Sequence, residues 1–334
     1  MKIIRFSIFA TVLMCALANA EEKPMPTTSS ETGKAHLTAT LTQWKPISRV
    51  DNMEYKTVTV NGVKMFYREA GPRDAPVILL LHGFPSSSRM FATLIPLLSG
   101  RFHLIVPDYP GFGHSDAPAP EEFSYTFDHL ADCVEKFVDH LNITRYAIYL
   151  QDYGGPIGFR LAVAHPERVT ALIIQNTVAH LEGLSEAWDI RKAFWKDRAA
   201  HEEELRQALL SIEVARQRHV AGVPNPERID PDTWSDEFAF LTRPGMDRIQ
   251  LDLMFDYRTN VAAYPIWQAY LRDHHPPTLV VWGKYDPLFT VAGALAFGRE
   301  LPNAEIHLLN ASHFALDEEA EAIAALIHRF LGAR

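Results

Sequence analysis

The sequence predicts an α/β protein with a doubly wound, mostly parallel β-sheet and an inserted helical segment. Short, continuous apolar runs such as residues 77–81 and 146–150 are typical of strands buried on both faces of a parallel sheet. Apolar residues at helical spacing follow these runs, which produces a repeated βα alternation. Between residue 178 and about residue 270 the alternation stops, and helix-forming residues continue without a strand pattern.

The first 50 residues are predicted to precede the folded core. Residues 1–5 are basic, residues 6–17 are apolar, and residues 18–20 (Ala-Asn-Ala) have the small-x-small pattern of a cleavage site. Residues 1–20 are therefore predicted to be a signal peptide, and the Thr-, Ser- and Pro-rich residues 21–50 a flexible leader. We expect a secreted or periplasmic protein with no membrane span after cleavage. A lipoprotein and an uncleaved N-terminal anchor are the alternatives.

Composition argues against several classes of partner. The formal net charge is −9, and it becomes more negative once Lys2 and Arg5 leave with the signal peptide, so nucleic acid is not an expected partner. Cys133 is the one cysteine left after removal of Cys15, so no internal disulfide can form. His201 is followed by three glutamates but lacks the second histidine of a metalloprotease helix, and we predict no metal and no cofactor. The oligomeric state stays open.

The first part of the core is predicted in residues 51–177. The Asn61-Gly62 turn joins strands 56–60 and 64–69 in a hairpin. Four further strands are predicted at residues 77–81, 103–106, 146–151 and 169–175, with helices at 88–99, 126–141 and 156–165.

A helical cap is predicted in residues 178–270 and the second part of the core in residues 271–334. The core part contains strands 278–282 and 305–309 and helices 291–299 and 317–331. Ligands of open α/β sheets bind at the carboxyl ends of the strands. Because the cap emerges there, we expect it to act as a lid over the site; an additional packing layer is the alternative.

Residues 150–155 (Leu-Gln-Asp-Tyr-Gly-Gly) predict a sharp strand-to-helix turn that presents the side chain of Asp152. A carboxylate at this position predicts attack on a saturated carbon that carries a leaving group, with an ester to the enzyme as the product. Asp286 and His313 each follow a later strand, in the chain order nucleophile, acid, histidine. Asn176 stands at the other position for the acid but cannot ionise. Helix capping is the alternative role for Asp286.

The segment His82-Gly83-Phe84-Pro85 also follows a buried strand, so its backbone is expected beside the turn at Asp152. The backbone N–H groups of Phe84 and Tyr153 are predicted to form an oxyanion hole. The Phe84–Pro85 peptide bond is a candidate for cis geometry. Residues 110–115 are predicted to form a structural turn without a chemical role.

These motifs, together with residues 108–115 (Asp-Tyr-Pro-Gly-Phe-Gly-His-Ser), resemble the epoxide hydrolase and haloalkane dehalogenase branch of the α/β-hydrolase superfamily from about residue 55 to residue 331. The resemblance implies an α/β-hydrolase fold with Asp152 as nucleophile. It implies that His313 activates water and that Asp286 orients the imidazole. A small apolar molecule and water are the implied reactants.

The resemblance does not decide whether the leaving group is an epoxide oxygen or a halide. In epoxide hydrolases lid tyrosines assist the departing oxygen, and Tyr257 occupies the place of one of them. In dehalogenases indole N–H groups hold the halide, often from a tryptophan directly after the nucleophile, where this chain has Tyr153. Trp195 could serve a halide or simply pack, and Tyr264 and Tyr270 are predicted to be core or rim residues. We predict epoxide opening; haloalkane dehalogenation and a non-catalytic binding protein are the alternatives.

Overall fold

The computed structural model describes residues 53–209 and 211–332, so the predicted signal peptide and leader lie outside the described residues. An eight-stranded sheet in the order β1-β2-β4-β3-β5-β6-β7-β8 confirms the predicted fold class. Strand β2 is antiparallel to both of its neighbours, and the pairs from β4 to β8 are parallel. The strands are β1 (Glu54–Val60), β2 (Val63–Ala70), β3 (Val77–Leu81), β4 (His103–Pro107), β5 (Tyr146–Gln151), β6 (Val169–Gln175), β7 (Thr278–Gly283) and β8 (Glu305–Leu309).

Helices cover both faces of the sheet. The core helices are α1 (Leu94–Leu98), α2 (Phe127–His140), α3 (Gly154–Ala164), α9 (Val291–Glu300) and α10 (Ala315–Gly332). Thr126 caps the start of α2: its hydroxyl accepts a hydrogen bond from the His129 N–H (3.1 Å) and so satisfies one of the free amides of the first turn.

Alternate residues of the central strands enter two different apolar clusters. In β3, Leu79 and Leu81 pack with the cluster that contains α2 and α3, whereas Ile78 and Leu80 pack with the cluster that contains α1 and α10. Burying such side chains stabilises the fold by about 1.5–3 kcal/mol each. The continuous apolar runs in the sequence are therefore explained by a sheet that is covered on both sides.

The predicted helix over residues 88–99 is divided in the structure. Residues Ser88–Phe91 form a 3-10 turn, and α1 begins only at Leu94. The first residue of this turn is bonded to a different part of the chain, because the Ser88 N–H donates to the Asp108 carboxylate (2.6 Å). This bond ties the turn to the loop after β4.

The chain between β6 and β7 is helical in its described part. Its helices are α4 (Asp189–Lys196), α5 (Arg198–Leu209), α6 (Ile212–Val220), α7 (Asp232–Leu241) and α8 (Met246–His274), with short 3-10 turns at Leu181–Gly183, Glu186–Trp188 and Pro226–Arg228. Helix α8 continues past the boundary predicted at residue 270 and contains Pro265. Among the helices described, none is both long and apolar enough to cross a membrane.

Candidate active site

Asp152 stands at the turn between β5 and α3 in a left-handed backbone conformation (φ 46°). Residues other than glycine rarely adopt this conformation, and such strain is typical of functional turns. The following residues must be small: a Cβ atom at Gly154 would lie 2.1 Å from the Leu81 carbonyl oxygen, and one at Gly155 would lie 1.9 Å from the Thr177 hydroxyl. Close strand–helix packing therefore presents the Asp152 side chain at the carboxyl end of the sheet.

The structure brings Asp152, Asp286 and His313 together. The His313 Nδ1–H donates to Oδ2 of Asp286 (2.8 Å), and His313 Nε2 lies 3.8 Å from Oδ2 of Asp152. Their side chains are almost completely buried. The imidazole is thus held by one carboxylate and turned toward the other, as in a nucleophile–base–acid triad.

Asn176 supports Asp286, a role that the sequence analysis missed. Its amide nitrogen donates to Oδ2 of Asp286 (2.8 Å), and its amide oxygen accepts the Gly283 N–H (2.9 Å). The other carboxylate oxygen of Asp286 accepts the Leu288 N–H (2.7 Å). These bonds join the ends of β6 and β7 and orient the acid toward His313.

Two backbone N–H groups face the Asp152 carboxylate. The Phe84 N–H donates to Oδ1 (2.8 Å), and the Tyr153 N–H also stabilises the charged carboxylate. The Phe84–Pro85 bond is cis, in agreement with the expectation from the sequence. The Asp108 carboxylate accepts hydrogen bonds from the backbone N–H groups of Ser88 and His114. The loop after β4 is thereby bonded to the segment after β3.

Burial and charge shift the protonation of the triad. Burial raises the pKa of Asp152, although the charge of His313 and the two backbone N–H groups oppose this shift. Burial lowers the pKa of His313, but the charge of Asp286, its hydrogen bond and the charge of Asp152 outweigh burial, so the pKa is raised overall. If Asp152 became a neutral ester, one of the charges that raise the pKa of His313 would be lost.

Tyr257 of the cap lies in the wall of the site. Its ring centroid is 5.8 Å from that of Tyr153, and it is fully buried. Within the described residues its hydroxyl makes no hydrogen bond of standard geometry, and the Tyr264 hydroxyl, two turns later on α8, is close enough to raise the pKa of Tyr257. Burial raises the pKa of Tyr257 well above its ordinary value, so the hydroxyl keeps its proton.

Trp195 packs on this wall with its indole N–H already engaged. The N–H donates to the Met254 carbonyl (2.8 Å), and the ring is stacked on Tyr257 at 6.0 Å. Trp188, which the sequence analysis did not single out, also donates to a carbonyl, that of Leu288 (3.1 Å), and lies 4.6 Å from Tyr257. This geometry favours the packing alternative for Trp195 over halide binding.

Three further polar residues at the site carried no recognised sequence signal. Gln151 is fully buried, and its amide nitrogen lies 3.2 Å from His313 Nε2. The charges of Arg191 on α4 and Arg218 on α6 both interact with Asp152. The position of Gln151 directly before Asp152 could have indicated its contact. Nothing in the sequence distinguishes these two arginines from the other basic residues, because the path of the cap decides where they lie.

In the described part of the chain, one group of side chains has ligand atoms close enough for a metal ion: His129, Asp132 and Cys133 on α2. Burial raises the pKa of Cys133 to about 11, so its thiol stays protonated and is a poor ligand. Asp132 already accepts a hydrogen bond from Asn61 (3.0 Å). We assign no metal to this group.

The fold and the site define the class. The chain belongs to the α/β hydrolase fold family, because the sequence model of that family matches residues 76–320. It is therefore a hydrolase, as is its relative in yeast. It is 42% identical over 275 residues to an uncharacterised hydrolase of Saccharomyces cerevisiae, across 81% of this chain and 94% of that protein. An epoxide hydrolase structure aligns with a TM-score of 0.69 at 20% identity, covering 84% of this chain and 99% of that one. A haloalkane dehalogenase from Bradyrhizobium elkani aligns with a TM-score of 0.64 at 24% identity, covering 85% and 100%.

Proposed function

We propose that the protein hydrolyses epoxides to vicinal diols through a covalent ester on Asp152. The observation that carries this proposal is the Tyr257 hydroxyl, which is buried in the wall of the site, protonated and without a hydrogen-bond partner among the described residues. An epoxide oxygen needs a proton as its carbon–oxygen bond breaks, and a tyrosine with this environment can supply one.

In the first step, an Oδ atom of Asp152 attacks one carbon of the epoxide ring. A carbon–oxygen bond forms to the enzyme while the ring carbon–oxygen bond breaks, and the departing oxygen takes the proton of Tyr257. Because Asp152 is already ionised when it attacks, this step needs no general base. The product of the step is a hydroxyalkyl ester.

In the second step, water attacks the carbonyl carbon of the ester. His313 Nε2 accepts a proton from the water, and Asp286 stabilises the imidazolium through the 2.8 Å hydrogen bond to Nδ1. The N–H groups of Phe84 and Tyr153, which face the carboxylate in the free enzyme, stabilise the oxyanion that develops there. The intermediate collapses when its bond to the alkyl oxygen breaks; this oxygen takes the second proton of the attacking water, which releases the diol and leaves Asp152 as a carboxylate. Tyr257 recovers its proton from His313 through solvent.

The indole groups favour an epoxide over a halide as the leaving group. A halide needs N–H donors, and the N–H groups of Trp195 and Trp188 both donate to backbone carbonyls. A halide leaves without taking a proton, so only epoxide opening uses the acidity of the Tyr257 hydroxyl; in dehalogenation this hydroxyl could only donate a hydrogen bond.

Parallel turnover assays of aryl and alkyl epoxides and of 1-bromoalkanes test this proposal, with diol and halide measured separately. We expect diol formation that is lost in Asp152→Asn. Halide release without diol formation, also lost in Asp152→Asn, would assign the activity to haloalkane dehalogenation instead. Ligand binding without turnover, unchanged in that variant, would support a binding protein.

We further propose that the mature protein acts outside the cytoplasm. The proposal rests on the basic, apolar and small-residue pattern of residues 1–20. The intact mass and N-terminal sequence of protein recovered from cytoplasmic and extracytoplasmic fractions of its native host test it: a mature chain that starts near Glu21 is expected outside the cytoplasm, and a chain with an intact Met1 found only in the cytoplasm would contradict it.

A further inference from the structure

Gln151, the last residue of β5, lies against the Nε2 atom of His313. Its amide nitrogen is 3.2 Å from Nε2, which is closer than Oδ2 of Asp152 at 3.8 Å. In the described part of the chain, Gln151 is the one residue whose side chain lies within hydrogen-bonding distance of Nε2. Gln151 has no exposed surface, so packing fixes its position beside the imidazole.

The two protonation states of His313 need opposite partners at Nε2. In both states Nδ1 carries a hydrogen and donates it to Asp286 (2.8 Å). The neutral imidazole therefore presents a lone pair at Nε2, which an amide N–H can meet. The imidazolium presents a second N–H there, which needs an acceptor and is opposed by an amide N–H. In the proposed reaction His313 passes from the first state to the second when it takes a proton from water.

The amide of Gln151 can serve both states by turning. Among the described residues its oxygen, Oε1, is buried and makes no hydrogen bond. This oxygen faces Gly83, where an added Cβ atom would lie 2.2 Å from Oε1 and 2.9 Å from Oδ1 of Asp152. A half-turn about the last side-chain bond, a torsion with two broad minima, exchanges the amide oxygen and nitrogen. The oxygen then faces Nε2, and the amide nitrogen lies on the side of the Asp152 carboxylate.

We propose that Gln151 is a positioning residue that reverses its hydrogen bond when His313 is protonated. Its N–H donates to Nε2 of the neutral base, and its oxygen accepts the Nε2–H of the imidazolium that forms as water attacks the ester. The inference deepens the proposed function and rests on it for this second step. Asp152 cannot replace the acceptor, since it lies 3.8 Å away and carries no charge as an ester.

The pKa of His313 in the free enzyme tests the inference without any substrate. NMR titration of the imidazole signals measures it, and His313→Gln identifies the signal among the fifteen histidines. The titratable groups that face His313 are Asp286, Asp152 and, across the Phe314 ring, His219. Substitution of Gln151 leaves all three in place.

Gln151→Met keeps the length of the side chain and removes both hydrogen bonds of the amide. A hydrogen bond to a charged group is about twice as strong as one between neutral groups, so the loss weakens the imidazolium more than the neutral ring. The pKa of His313 should therefore fall by roughly half to one pH unit. A rise would mean that the amide only donates to the neutral ring, and an unchanged pKa would mean that it only packs; either result overturns the inference.

Two further variants test the contact itself. Gln151→Glu places a carboxylate beside Nε2 and should raise the pKa of His313 by about one unit or more; no rise would contradict the contact. Gln175→Met is the matched control. Gln175 is paired with Gln151 across β5 and β6 and is equally buried, but it donates to the backbone carbonyl of His313 (3.3 Å) and not to the ring. This control should leave the pKa of His313 unchanged.

A kinetic readout connects the pKa to the reaction. In rapid-quench experiments with an epoxide, the ester on Asp152 should persist roughly tenfold longer in Gln151→Met than in the wild type, because the imidazolium is less stable. An unchanged lifetime would contradict the role in the second step. If the wild type forms no diol from any epoxide, the proposed function fails, and the titration of His313 still decides whether the amide reverses its hydrogen bond.

Discussion

At the scale of single residues, the chemistry depends on where each side chain stands in relation to a strand end. The proximity of Asp152, Asp286 and His313 was predictable because Asp152 directly follows β5, and Asp286 and His313 follow β7 and β8 within a few residues, in the order expected of the fold. Arg191, Arg218 and Trp188 were not, because their positions depend on how the cap helices pack over the sheet. The function of Asn176 was also hidden, since an amide that orients a carboxylate leaves no pattern in the sequence.

Replacement of His313 by glutamine should separate the two proposed steps. Without the base, kcat should fall by about 10²–10⁴ because the ester forms but is not hydrolysed. Mass spectrometry of the digested variant should find the substrate on the peptide that contains Asp152. The same digest of Asp152→Asn should carry no adduct, and an adduct on another residue would contradict the assignment of Asp152.

Replacement of Tyr257 by phenylalanine should slow ring opening without unfolding the protein. We expect kcat/KM for epoxides to fall by about 10² or more, because the departing oxygen loses its proton donor. The melting temperature should not fall, because this hydroxyl has no hydrogen-bond partner among the described residues. Tyr146→Phe is the matched control, since its buried hydroxyl also lacks a described partner but stands at the opposite end of β5 from Asp152. Full activity in Tyr257→Phe would exclude Tyr257 as the donor.

At the scale of elements, strands were more predictable than cap helices. Strands β3, β5, β6 and β8 match the predicted ranges residue for residue, because short apolar runs between turn residues indicate buried strands clearly. Helix α8, by contrast, has 29 residues and crosses the predicted end of the cap. Its extent depends on contacts with both cap and core, and local periodicity does not contain that information.

Replacement of Trp195 by phenylalanine tests whether this residue holds the cap together. Loss of the bond to the Met254 carbonyl should lower the free energy of unfolding by about 1 kcal/mol. Diol formation should persist, since Tyr257 and the triad remain. Chemical denaturation measures the first effect. Unchanged stability with a selective loss of halide release would instead assign Trp195 to the leaving group.

At the scale of the whole molecule, a buried ionic cluster joins the cap to the core. His219 of α6 is hydrogen-bonded to Glu237 of α7 (2.9 Å) and to Asp317 of α10 (2.8 Å). Its ring stacks on Phe314, the residue after His313, at 4.0 Å. A cavity of about 190 Å³ lies against these residues and is lined by none of the three triad residues. The cluster therefore holds the cap beside His313.

This cluster should make stability depend on pH. Burial opposes the charge of His219, but the charge of Glu237 and the hydrogen bonds to Asp317 and Glu237 raise its pKa to about 10. A raised pKa contributes stability that is complete below the pKa of the unfolded state, about 6.5, and is lost as pH rises through about 10. The free energy of unfolding should fall across this interval in the wild type. The fall should be much smaller in His219→Gln, and equal slopes for the two proteins would contradict the ionic assignment.

The most direct measurement of the central claim is a single turnover of an epoxide in H₂¹⁸O with enzyme in excess. An Asp152 ester gives a first diol whose new oxygen comes from the enzyme, so the product should contain no ¹⁸O and the peptide with Asp152 should gain it. Product labelled in the first turnover, with an unlabelled Asp152 peptide, would show direct attack by water and would contradict the covalent mechanism.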